Sequence, residues 1–356
     1  MVEKRHGQTG NTFFIANRRI GEGERSFIIA EVAQSHEGSL GMAHAFIDAA
    51  AEAGADAIKF QTHIASEEST IDEPFRIKFS EQDKNRYDYW KRMEFTAEQW
   101  AGLSRHAGEK GIFFLSSVFS VKAVEMLQRI GMPAWKIGSG EVRSVELLEA
   151  ISKNGAPILL STGMSDFEEI DRSVEMIQEK GLDLAVFQCT SMYPTPFEKV
   201  GLNVIDQFMS RYQCPIGLSD HSGTIFPGLA AMVRGIHLLE VHVTFDKAIF
   251  GPDIVASITF KELKFLAEAR DAFGIMRHHP VDKDNMALEL SDTRAIFLKS
   301  VAPARHLKTG TILDKEMLTL KKPGTGIQVE ELHRLIGRRL IRDVSPEKLL
   351  KWDDLE

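Results

Sequence analysis

Only two cysteines, Cys189 and Cys214, occur among 356 residues. Two thiols cannot build the disulfide framework of a small secreted fold, so a reducing, cytoplasmic compartment is expected. No apolar run approaches the roughly 20 residues that a membrane-spanning helix needs. The opening MVEKRHGQTGNT also lacks the apolar stretch of a signal peptide. A basic excess is missing too: 43 Lys and Arg against 51 Asp and Glu leave a formal net charge of −8. That balance argues against a nucleic-acid partner, whose electrostatic footprint is basic. It leaves room for an anionic small substrate, because local lysines can serve one pocket. No G-x-G-x-x-G follows an early strand, which weakens the case for a doubly wound nucleotide-binding sheet. Internal repeats and low-complexity tracts are absent as well.

What the chain does have is a series of eight short apolar runs bounded by turn residues: 27–33, 57–61, 113–117, 134–139, 157–162, 184–190, 215–220 and 238–244. Near-continuous apolar strands of this kind belong to parallel sheets covered on both faces. Amphipathic stretches of helical period lie between them, several ending in Gly as a helix C-cap would. Eight strand–helix units over about 250 residues is the arithmetic of a (β/α)8 TIM barrel. The pattern changes near residue 275. We therefore expect a barrel over 1–280, a polar linker over 281–294, and a small, basic, mixed unit over 295–356. The charged and aromatic segment 64–95, ending in YDYWKRMEF, reads as an insertion after the second strand, on the face where barrels carry their sites. Its aromatics would serve either as a lid or, with slight preference, as a patch packing one subunit on another.

Polar residues at the C-terminal ends of barrel strands point into the site. Those ends supply Glu31, Gln34, Ser35 and His36, then Lys59 and Gln61, Ser116 and Ser117, and Lys136, Ser139 and Glu141. Further on come Thr190 and Tyr193, Ser219, Asp220 and His221, and His242, Asp246 and Asp253. Lys59 and Lys136 interrupt apolar strands, and an unpaired buried ammonium is costly. Each therefore has either a structural partner, Glu31 or Glu141, or a bound phosphate or carboxylate, for which nearby serine hydroxyls offer donors. His221 and His242 end adjacent strands, so they are either satisfied polar residues or a pair of ligands for a divalent metal. Glu31 reads equally as a general base, a sugar-hydroxyl acceptor or a partner of Lys59. Cys189 reads as a small core residue.

The stretches IIAEVAQSHEGSL, GADAIKFQTH, PAWKIGSGE, QCTSMYPTP, IGLSDHSG, EVHVTFD, GPDIVAS and KKPGTGI follow one another along nearly the whole chain. Together they resemble the sialic acid synthase family, which includes legionaminic and pseudaminic acid synthases and spore coat polysaccharide biosynthesis proteins. The resemblance implies condensation of phosphoenolpyruvate with an N-acyl hexosamine, release of phosphate and a role in surface polysaccharide synthesis. It implies that Lys59, Gln61, Ser117, Lys136, Ser139, Ser191, Tyr193 and Ser219 bind phosphoenolpyruvate, and that His221 and His242 hold a divalent metal, Mn2+ before Mg2+ or Co2+. It further implies that Glu31, Tyr193, Asp253 and Lys322 contact the acceptor sugar, and that Glu31 and Glu141 handle protons. The tail resembles an antifreeze-like (SAF) domain, which implies a domain-swapped homodimer. The chain departs from the family at VAQSH, at SVF and at Lys322, where many members carry Arg. Two rivals remain: another phosphoenolpyruvate-dependent synthase of 3-deoxy sugar acids, and a non-catalytic sugar-binding protein.

Overall fold

A computed structural model of the chain describes residues 11–356. The opening residues read above for their lack of a leader stretch lie mostly outside the described residues. Two compact units divide the chain, the first ending at His278 and the second spanning His279–Glu356.

The first unit opens with an antiparallel hairpin, β1 (Thr12–Ile15) and β2 (Arg18–Gly21), which the apolar-run reading did not pick out. Eight parallel strands follow: β3 (Phe27–Ala33), β4 (Ala57–Thr62), β5 (Phe113–Val118), β6 (Trp135–Ile137), β7 (Ile158–Ser161), β8 (Leu184–Cys189), β9 (Ile216–Asp220) and β10 (Leu238–Thr244). They pair in chain order, and β10 pairs with both β9 and β3, so the sheet closes into the expected (β/α)8 barrel. A two-residue strand, β11 (Ile258–Thr259), extends beside β10. Strand β6 is shorter than its apolar run, because the chain leaves Gly138 directly into a 3-10 turn at Ser139–Glu141. Helices between strands start where a hydroxyl or carboxylate can cap them. Ser39 caps Leu40–Glu52, and Thr96 and Gln99 form a reciprocal capping box for Ala97–Glu109. Gly235, in the left-handed region at φ 93°, ends the helix Phe226–Arg234.

Strand period two divides the barrel interior into levels. Ile29, Ala57, Leu115, Ala134, Leu159, Phe187 and Leu238 form an apolar ring, and Phe13, Ile15 and Ile20 of the hairpin pack against it from below. Gly217 leaves the space that Phe187 fills: a Cβ there would stand 2.7 Å from the Phe187 ring carbons and 2.9 Å from the Leu238 carbonyl. The other strand faces pack against the helices in a separate, larger core.

A buried ion pair ties the last barrel helix, Phe260–His278, to the start of the barrel. Arg270 donates from Nη1 to Asp56 Oδ2 at 2.6 Å, and the same oxygen accepts from the Ile28 amide at 2.9 Å. In the second unit β12 (Ser300–Pro303) pairs antiparallel with β13 (Leu318–Lys321) over a core of Val301, Leu313, Leu335, Leu340 and Leu350. Residues 281–294 carry the short helix Lys283–Glu289 and the start of another, Ser291–Phe297. Among the described residues no helix is long and apolar enough to cross a membrane.

Arg25 Nη2 also reaches Asp56, at 3.2 Å, so losing Arg270 leaves that carboxylate with one of its two cations. Arg270→Ala is expected to destabilise the barrel by about 2 kcal/mol, the scale of lost charged hydrogen bonds, read as a lowered urea midpoint with unchanged far-UV circular dichroism before unfolding.

Candidate active site

Two residues beyond the apolar ring, the inward positions change character completely. They are Glu31, Lys59, Ser117, Lys136, Ser161, Cys189, Ser219 and Glu240, one from each barrel strand, and all eight line a cavity of about 500 Å³. The ladder explains their meeting: Glu31 stands in register with Lys59, Ser117 with Lys136, and Ser219 with Glu240. Beyond this ring the cavity is lined by Gln61, Ser191, Tyr193, His221, His242 and Asp253, with Ser139 from the turn after β6.

The ring is a matched charge cluster. Lys59 Nζ lies 2.7 Å from Glu31 Oε2 and 3.8 Å from Glu240 Oε2, and it donates to Ser117 Oγ at 2.9 Å. Lys136 Nζ lies 3.6 Å from Glu240 Oε1 and donates to Ser161. Ser219 Oγ donates to Glu240 at 3.0 Å, and Gln61 Nε2 to Glu31 at 2.8 Å. Burial alone would push both carboxyls up. For Glu31 burial prevails over the Lys59 charge, whereas Glu240, flanked by both ammonium groups, is held below the usual carboxylate range. Burial lowers Lys136, while Glu240 and Glu31 outweigh burial at Lys59 and raise it. The two carboxyls are thus shifted in opposite directions within one cluster.

The expectation that Glu31 or Glu141 would pair with the buried lysines holds for Glu31, which pairs with Lys59, and needs correcting for Glu141. The second carboxylate is Glu240, which its place inside LLEVHVT, two residues before His242, could have revealed. Glu141 belongs to the 3-10 turn after β6 and is not among the residues lining the cavity. Ser161 and Cys189 occupy the same inward level. Cys189, read as a core residue, lines the cavity with Sγ 3.9 Å from His221 Nδ1. Lys322 belongs to the second unit, with its Nζ 4.8 Å from the Phe297 ring centroid. In the insertion, Tyr89 and Trp90 are buried within their own chain and line the cavity, which favours the lid reading over the packing patch.

His221 and His242 bring their ring centroids to 5.1 Å. His221 contacts Tyr193 Oη through Nε2 at 3.2 Å and the Thr190 carbonyl through Nδ1 at 3.0 Å. His242 is buried with Nδ1 unpartnered, and burial followed by the neighbouring positive charges holds it well below its usual pKa, as the neutral imidazole that ligates metals. Among the described residues no group of three or more His, Cys, Asp and Glu is arranged to hold a metal ion. Although burial lowers His221, the neighbouring Cys189 and the Thr190 carbonyl push it up to about 9, so this ring must give up its proton to ligate. The donors on offer are then two imidazoles, a set that fits a divalent cation completed by water or substrate oxygens.

His63 and Gln34 brace Gln61. The His63 ring stacks on Trp90 and Phe119 at 3.9 and 4.4 Å, and Nδ1 bonds to Glu68. Its Nε2 lies 3.3 Å from Gln61 Oε1, which also accepts from Gln34 at 3.2 Å. His36 is buried, its ring 4.8 Å from that of Phe95.

A model of the NeuB family matches residues 46–277, and a model of the SAF domain matches residues 299–356. The chain is 32% identical to N,N'-diacetyllegionaminic acid synthase of Legionella pneumophila, with 96% of this chain and 99% of that protein covered. The solved structure of N-acetylneuraminic acid synthetase from Leptospira borgpetersenii, in complex with citrate, is similar at a TM-score of 0.70 and 29% identity, covering 81% of this chain and 98% of that one. Spore coat polysaccharide biosynthesis protein from Bacillus subtilis is similar at a TM-score of 0.65 and 28% identity, covering 97% and 99%.

Glu240→Ala strands Lys136 and is expected to cost about 3 kcal/mol in stability. Pairing Glu240→Leu with Lys136→Met should recover most of that loss in urea unfolding. Burial holds His36 down to about 3. The unfolded chain takes up that proton near 6.5 and the folded chain does not, so stability falls as pH drops from 6.5 towards 3. His36→Gln should give a shallower fall across that window in urea midpoints measured at stepped pH.

Proposed function

The chain belongs to the NeuB family, and we propose that it is a nonulosonic acid synthase that condenses phosphoenolpyruvate with an N-acyl hexosamine and water. The observation that carries this reading is the inward ring of lysines and serines sharing one cavity with two imidazoles. A three-carbon enol phosphate needs donors for two anionic groups, and an electrophilic sugar aldehyde needs polarising. Both requirements can be met in one space.

In this reading Lys59 and Lys136 offset the charge of phosphate and carboxylate, and Gln61, Ser117, Ser139, Ser191, Tyr193 and Ser219 supply hydrogen bonds. Carbon three of phosphoenolpyruvate attacks the aldehyde carbon of the open-chain sugar, using the enol π pair to form the new C–C bond. Water adds at carbon two and gives up a proton to the Glu31 carboxylate, which lines the cavity. The tetrahedral intermediate then expels phosphate by C–O cleavage and leaves the keto acid. A divalent cation held by His221 and His242 (Mn2+, Mg2+ or Co2+) would supply Lewis-acid polarisation of the aldehyde. Asp253 contacts the acceptor sugar. Glu141 takes no step, since it is not among the lining residues.

The protein acts in the cytoplasm, in surface polysaccharide synthesis, as a homodimer whose SAF units cap partner barrels and bring Lys322 to the acceptor. The relation to spore coat and legionaminic acid proteins supports the role in surface polysaccharide synthesis.

The test is phosphate release from phosphoenolpyruvate with a panel of N-acyl hexosamines, with and without Mn2+. Release should require both the sugar and the metal. His221→Ala and His242→Ala should each abolish turnover while the circular dichroism of the barrel persists. Metal-independent release by both variants, or a lysine adduct trapped by borohydride, would defeat the reading.

A further inference from the structure

Arg76 reaches the cavity from the insertion between β4 and β5, well away from any strand end. Its guanidinium carbon stands 4.1 Å from the Tyr193 ring centroid. Its Nη2 donates to Asp253 Oδ1 at 3.0 Å. All three residues line the same cavity. Asp253 is the more enclosed of the ion pair, with its side chain 16% exposed against 41% for Arg76. A carboxylate in such a place is costly unless a cation faces it. The Tyr193 ring in turn stacks on His221 with centroids 4.2 Å apart. One side chain of the insertion thus touches a carboxylate on one side of the cavity and an aromatic ring beside the imidazole pair on the other.

We propose that Arg76 is a positioning residue for the acceptor sugar, holding the Asp253 carboxylate in place and clamping the insertion onto Tyr193. This rests on the synthase reading. The ion pair engages Asp253 Oδ1, and the second carboxylate oxygen remains to accept from a sugar hydroxyl. The guanidinium uses both its donor edge and its planar face, a combination that an ammonium cannot reproduce. The lysine–serine ring that would hold phosphoenolpyruvate lies deeper, and none of the hydrogen bonds or ion pairs described for Lys59 and Lys136 involves Arg76. Arg76 therefore acts on the acceptor through Asp253, and reaches phosphoenolpyruvate only through its face contact with Tyr193.

Steady-state phosphate release by the full-length protein separates these effects, with phosphoenolpyruvate and the best acceptor of the hexosamine panel varied in turn. Arg76→Ala should raise the acceptor KM about tenfold, the scale of a lost charged hydrogen bond. The phosphoenolpyruvate KM should rise by clearly less, about threefold at most, since Tyr193 is one of several groups that hold it. Arg76→Lys should recover part of the loss by restoring the charge. In the Asp253→Asn background Arg76→Ala should add little, because the two act as a unit. An unchanged acceptor KM, an equal rise in both KM values, or full additivity with Asp253→Asn would overturn the inference while leaving the synthase reading intact. A parent protein that releases no phosphate with any sugar overturns both.

Discussion

Four charges buried at one level of a barrel are the constraint around which the rest is arranged. Taking a carboxylate or an ammonium out of water costs several kcal/mol even after relaxation, so Lys59, Lys136, Glu31 and Glu240 are tolerable only together. The parallel ladder brings them together by register, setting Glu31 beside Lys59 and closing β10 against β3. The balance is not rigid. Glu240 stays ionised between two ammonium groups, while burial leaves Glu31 ready to accept a proton.

Stability and chemistry are thereby assigned to different levels of the same strands. The apolar ring and the hairpin beneath it fill the barrel and carry no polar side chain of the cavity. The ring two residues above carries charge on four strands and a hydroxyl or thiol on the other four. Side-chain alternation makes this separation cheap, since moving along a strand by two keeps the same face and changes only the height.

This alternation also marks how far the sequence alone could be read. Eight apolar runs were enough to count the strands, and lysines interrupting two of them were conspicuous. Glu240 escaped notice because a single acid inside LLEVHVT looks like any strand polar residue until its neighbour across the ladder is known. Ser161 and Cys189 escaped for a similar reason, being small residues that also occur in ordinary cores. Counting two residues on from each inward apolar position would have found all three. The hairpin of β1 and β2 was missed because β2, RRIG, opens on two arginines and offers no apolar run. No periodicity argument reaches Arg76, because its place depends on how a long insertion folds back over the barrel mouth.

The vacancy at Gly217 gives the apolar ring a memory of its own history. Because the Phe187 ring occupies the volume that any side chain at 217 would need, neither position can drift by itself. A smaller residue at 187 would not free 217 either, because the Leu238 carbonyl closes the same space with backbone that cannot be trimmed. The glycine is thus held from two directions, and the floor of the barrel keeps its form whatever happens to the chemistry one storey higher.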